Sequence, residues 1–124
     1  MLPHDIIKSH ILISTDIEKE VDNFKNKLYP FRIVEFIEEK FKLEHAKAVV
    51  AEAYISESQT KYIILGSQSF GIEAQNSLLK LLEEPPKNIE FIIQFNFFKR
   101  HFISVFRIKF SFIKMEVTCN FHFV

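Results

Sequence analysis

Carboxylates and lysines supply most of the chemistry-bearing side chains in this sequence, and their spacing argues against a catalytic centre. The apolar run HILIST (His10–Thr15) leads into STDIEKEVDN. A phosphate-binding loop at such a junction needs glycines, so that successive backbone N–H groups can approach the phosphate, then a Lys and a Ser/Thr. This stretch has no glycine and carries acids where phosphates would sit. A second requirement is an acid at the end of a later strand to hold Mg²⁺. KYIILGSQSF has none between Lys61 and Glu73. Nucleotide hydrolysis needs both parts, and the sequence has neither.

Other constellations are weaker. Glu35, Glu38, Glu39 and Glu44 cluster beside His45, but they flank an expected strand–helix junction and read as a solvated rim. His4, His10, His45, His101 and His122 are scattered without ligand spacing, so no metal and no cofactor are expected. A lone Cys119 excludes an internal disulfide, fits a reducing cytoplasm and has only Lys114 nearby to activate it. Arg100, Arg107, Lys109 and Lys114 lie among phenylalanines, a composition that also suits stacking on single-stranded nucleic acid. No Ser/His/Asp arrangement stands out.

The elements that must position these residues alternate between two periods. HILIST reads as a strand ending at a helix cap, and Ile17, Val21, Phe24 and Leu28 mark one side of a helix that Pro30 stops. FRIVEFI (Phe31–Ile37) is a second strand. Leu43, Ala46, Val49, Val50, Ala53 and Tyr54 then fall at helical spacing. KYIILG is a third strand, apolar enough to be covered on both faces. A helix over Gly71–Glu84 follows, and IEFIIQF (Ile89–Phe95) is a fourth strand. Strict alternation predicts an α/β domain: a parallel sheet with helices on both faces.

The helix over GIEAQNSLLKLLEEPP is the most regular of these. Ala74, Leu78, Leu81 and Leu82 form its apolar stripe, with Ile72 and Leu79 beside it. Glu73, Asn76, Ser77, Lys80, Glu83 and Glu84 take the opposite face. Ser69 or Gly71 can cap its start, and Pro85 ends it by pushing Glu84 out of the helical region. Two glutamates at a helix C-terminus run against the macrodipole, which prefers cations there.

The chain has 124 residues, 48% hydrophobic and 26% charged, with zero formal net charge. That is about one domain, large enough for a real core, and no apolar run approaches the roughly 18 residues of a membrane helix. The neutrality is uneven. Residues 1–86 hold ten Lys/Arg against fourteen Asp/Glu, and residues 87–124 hold six against two. From Lys87 onward there is no Leu, Ala, Gly, Pro or Asp, while ten of the fifteen Phe lie at Phe91 or later. FRIKFSF (Phe106–Phe112) alternates like a half-buried strand, and FHFV resembles the end of another. Residues 1–93 therefore read as a core and residues 94–124 as a Phe-rich, divergent tail able to complete the sheet. A shift of reading frame near Ile93 in A/T-rich DNA would produce the same bias, which leaves a truncated product as one reading of the tail.

EAQNSLLKLLEEPP, followed by an apolar strand, resembles the segment found in clamp-loader subunits of the AAA+ class, those of the delta-prime type of bacterial DNA polymerase III most of all. The motif residues are Glu73, Ala74, Gln75, Asn76, Leu78, Leu79, Lys80, Glu83, Glu84, Pro85 and Pro86. The resemblance extends back through KYIILGSQSF, which matches the Walker B strand, with Leu65 and Gly66 where ATP-hydrolysing relatives carry an Asp-Glu pair. SHILIS is similar to the strand that leads into the P-loop in those relatives. The resemblance implies an AAA+-like fold without a P-loop, in a subunit that is not itself an ATPase. It implies ATPase subunits and a delta subunit as partners, and through them a sliding clamp and primed DNA.

In that family a Ser-Arg-Cys motif follows the fourth strand, and its arginine reaches the ATP site of a neighbouring subunit. Placed on FISVFRIKF, Arg107 matches the first arginine of the family's run and Lys109 stands in the finger position, flanked by Ile108 and Phe110 instead of Ser and Cys. Lysine offers a point charge without the planar fork of arginine. The family's helical lid and collar domain have no counterpart in this sequence. A free-standing interaction domain is the remaining alternative to a clamp-loader subunit.

Overall fold

A computed structural model describes residues 7–96 and 116–120. The elements run β1 (His10–Ser14), α1 (Ile17–Lys27), β2 (Arg32–Phe41), α2 (Leu43–Ala53), β3 (Lys61–Phe70), α3 (Ile72–Glu83), β4 (Ile89–Asn96) and β5 (Glu116–Asn120). All strands are parallel, in the order β2-β3-β4-β1-β5. The chain therefore steps from β1 to the sheet edge at β2 and reverses direction there, returning through β3 so that β4 slots between β3 and β1. β4 stays in register with β1 through its last residue, pairing Ser14 with Asn96.

Side-chain alternation along the strands divides the core in two. On one face Ile63 and Leu65 of β3, with Ile89, Phe91, Ile93 and Phe95 of β4, pack under α2 and α3. On the other, Leu12, Tyr62, Ile64 and Ile92 pack under Val21, Phe24 and Leu28 of α1. Helices thus cover both faces, as a parallel sheet requires. Among the described residues no helix is long and apolar enough to cross a membrane.

α1 begins at the Asp16 cap, which accepts a hydrogen bond from Lys19 N, and ends at Leu28, whose N–H donates to Phe24 O before Pro30. In α3 the stripe of Ala74, Leu78, Leu81 and Leu82 is buried as its spacing predicts. One detail differs from the sequence expectation and two complete it. Ile72 is 63% exposed, because it occupies the first turn beyond the sheet edge. Gln75 is buried, and its Nε2 donates to Phe70 O at 2.8 Å. Gly71, not Ser69, is the N-cap residue, since Ser69 still belongs to β3.

β2 and β3 also run further than their apolar patterns indicate. Glu38, Lys40 and Phe41 continue to pair with Ser67, Ser69 and Phe70. Polar residues tolerate this extension because Ser67 Oγ satisfies local backbone groups, lying 3.0 Å from Glu39 O and accepting from Ser69 N. The Phe41 and Phe70 rings, 4.9 Å apart, close the apolar layer there, with Phe95 5.3 Å from Phe70. Tyr54 departs as well: it lies just past the end of α2 and is 60% exposed.

Candidate functional site

Ligands of open α/β sheets bind outside the carboxyl ends of the strands, at the point where strand order reverses. In this fold that point lies between β1 and β3, above β4. Here β1 passes to α1 through only Thr15 and Asp16. Asp16 N–H donates to Ser14 Oγ at 3.0 Å, and its carboxylate accepts from Lys19 N at 3.0 Å. One of the helix's free N–H groups is thereby taken by the chain's own anion.

The cleft beside this junction encloses about 440 Å³, and Asp16, Glu18, Glu38 and Glu39 are in its wall with Ser67 and Asn96. Its floor is apolar. A Cβ added at Gly66 would sit 2.8 Å from Ile37 Cδ1, closer than such atoms come, and 3.0 Å from Ile17 Cγ2, a tight contact, so these side chains would have to shift. Leu65, one residue earlier, points to the opposite face and is fully buried in the α2/α3 layer. Gln94 lies in register with Gly66 and Leu12. It is wholly buried, and neither of its amide atoms has a hydrogen-bond partner among the described residues.

The acidic residues singled out in the sequence meet only in part: Glu38 and Glu44 both lie beside His45, at 3.6 and 4.0 Å from its Nε2, while Glu35 turns elsewhere. Glu35 pairs with Lys25 at 2.8 Å, and this contact raises the Lys25 ammonium pKa above its ordinary value through the hydrogen bond first and charge second. The Nδ1 of His45 accepts from Lys42 N. No group of three or more His, Cys, Asp and Glu among the described residues is placed to hold a metal ion.

The EEPP end of α3 lies elsewhere. A 12-residue helix spans about 18 Å, so α3 starts at the carboxyl edge of the sheet and delivers Glu83, Glu84, Pro85 and Pro86 to the amino edge. Glu83, Glu84 and Pro85 are exposed. The turn into β4 closes with Ile89 N donating to Pro86 O at 3.2 Å, and Asn88 takes the left-handed conformation with φ 66°. Asparagine tolerates that region better than most residues.

Asn88 then ties three segments together. Its carbonyl accepts from Lys61 N at 2.8 Å, and its Nδ2 donates to Glu57 O at 2.8 Å. Beside it the Lys61 ammonium is fully buried. It donates to Glu52 O at 2.9 Å, capping the end of α2, and lies 3.7 Å and 3.5 Å from the Glu52 and Glu57 carboxylates. Arg32 contacts the same two acids from the solvent side at 3.6 and 3.8 Å. Sequence reasoning missed both residues. A Pro-Pro-Lys-Asn run is a turn signal that points to Asn88, whereas nothing local marks Lys61 as buried.

The remaining motif residues divide by burial. Ala74 and Leu78 are core, Leu79 is half-buried against it, and Glu73, Asn76 and Lys80 face outward. Arg107 and Lys109 lie outside the described residues.

Comparison with known proteins agrees with this architecture. A search of the curated proteins gave no match. Among solved structures, the domain is similar to a DNA polymerase III gamma subunit-related protein from Thermotoga maritima, with a TM-score of 0.69 and 20% identity. The likeness covers 91% of this chain and 41% of that one, so this chain spans about two fifths of its length. At that identity the shared property is the fold. The sequence profile described as "DNA polymerase III, delta subunit" matches residues 15–97, from the start of α1 to the end of β4. With two thirds of its length inside that match and its fold shared with the gamma subunit-related protein, the chain belongs to the DNA polymerase III delta subunit family and represents a clamp-loader N-terminal domain.

Proposed function

We propose that the chain acts as a non-hydrolysing, delta-prime-type subunit of the DNA polymerase III clamp loader. In this role it helps to assemble the complex that places the sliding clamp on primed DNA. The observation that carries the reading is the filled nucleotide end. ATP does not fit the residues present: the β1–α1 connection is two residues long, Asp16 caps the helix, and Ile17 with Ile37 fills the space over Gly66 where a carboxylate would hold Mg²⁺. The four acids along the cleft wall would also repel a triphosphate. What remains intact is the scaffold that presents α3 and its EEPP turn, which supports a role in assembly.

On this reading the partners are the ATPase subunits and a delta subunit, with clamp and primed DNA engaged through the complex. Lys109, with Arg107 before it, would present a cation to the ATP site of a neighbouring ATPase subunit.

The test is co-purification with the ATPase and delta subunits of the same organism, followed by clamp-stimulated ATP hydrolysis and by calorimetric titration of the chain alone with Mg·ATP. Association, a rise in hydrolysis and no heat of nucleotide binding are expected. Saturable nucleotide binding by the isolated chain would overturn the non-hydrolysing part, and a folded chain that joins neither partner would overturn the assembly role. With association established, Lys109→Ala is expected to lower the neighbours' hydrolysis without dissociating the complex.

A further inference from the structure

We draw no further inference here: the strongest candidate, the groove between the first turns of α2 and α3 with Phe41 and Ile72 in its wall and Lys40 and Lys42 at its rim, is an apolar surface beside two helix N-termini, and nothing in the structure shows what covers it.

Discussion

The two ends of the sheet hold comparable numbers of charged groups and treat them in opposite ways. At the carboxyl end, Asp16, Glu18, Glu38 and Glu39 sit along an open cleft, where Asp16 caps α1 and Glu38 lies 3.6 Å from His45. At the amino end, Arg32, Lys61, Glu52 and Glu57 are knitted into one cluster, and the Lys61 ammonium has no exposure at all. Charges left in a wet cleft contribute little to stability, whereas a buried ammonium must be matched or it destabilises the fold. The difference separates a region whose charges mostly line an open cleft from one that carries the architecture. On the proposed non-hydrolysing reading, the carboxyl end tolerates acids because no anion has to approach it. The amino end cannot vary as freely, because β3, β4 and the end of α2 meet on Lys61 and Asn88.

Substitutions can break or sharpen this contrast. The largest effect is expected at the floor of the cleft. Gly66→Asp would force a Cβ into Ile17 and Ile37 and bury a carboxylate, at a cost of about 3–5 kcal/mol in urea unfolding. Adding Ile17→Ala should recover part of that loss. A Gly66→Asp chain as stable as the parent would show that the site is not filled.

At the opposite end Lys61→Ala removes the shared partner of two acids and of the Glu52 and Ile55 carbonyls. About 2–3 kcal/mol is expected, less than for a wholly buried pair because the Glu52 and Glu57 side chains keep 16% and 23% exposure. Lys61→Met, which keeps the volume, should cost clearly less. Equal losses for the two variants would mean that the lost charge pairing, and not packing, accounts for the cost.

Smaller changes probe the junctions. Asp16→Ala should cost about 1 kcal/mol as a lost helix cap, and Asp16→Asn much less. Thermal unfolding of the three chains would decide it, and an unchanged midpoint for the alanine variant would contradict the cap. In the turn, Asn88→Ala is expected to cost about 1–2 kcal/mol, from the left-handed backbone and the lost contact to Glu57.

The smallest effect is on pH dependence. Burial pushes the Tyr62 phenol above its ordinary 10.0, with the Glu90 carboxylate adding to it and the Ile7 backbone opposing, although its hydroxyl does not reach hydrogen-bond geometry. Glu35 holds Lys25 above 10.5. In both cases the folded chain binds its proton more tightly than the unfolded one. The stabilisation is therefore complete below these ordinary values and is lost as pH rises past them. Urea midpoints should be flat from neutrality to about pH 9 and fall above it. Glu35→Gln should remove the Lys25 share alone. A midpoint that rose above pH 10 would reverse the sign and exclude both assignments.

How much of this was legible follows from the range of the forces involved. Periodicity is local, so the stripe of Ala74, Leu78, Leu81 and Leu82, the continuous apolar run of β3 and the stop at Pro85 could be read directly, and with them a parallel α/β sheet. The missing glycines before α1 and the missing acid after β3 are equally local facts, readable from the sequence alone.

What the tertiary structure alone decided is which residues meet across the sheet. The carboxyl extensions of β2 and β3 carry Glu38, Lys40, Ser67 and Ser69, polar residues whose strand state depends on a partner strand. Gly66 reads as a mere absence of acid until Ile17 and Ile37, from two other elements, are seen to fill its space. Lys61 reads as a solvated strand start until Glu52, Glu57 and Asn88 close around it. Each of these depends on contacts between distant segments, whose identity is set by strand order rather than by neighbours in the chain. The sequence by itself therefore determined the elements and the absence of a glycine-rich loop before α1; the fold decided that the space over Gly66 is occupied and that the opposite end is locked.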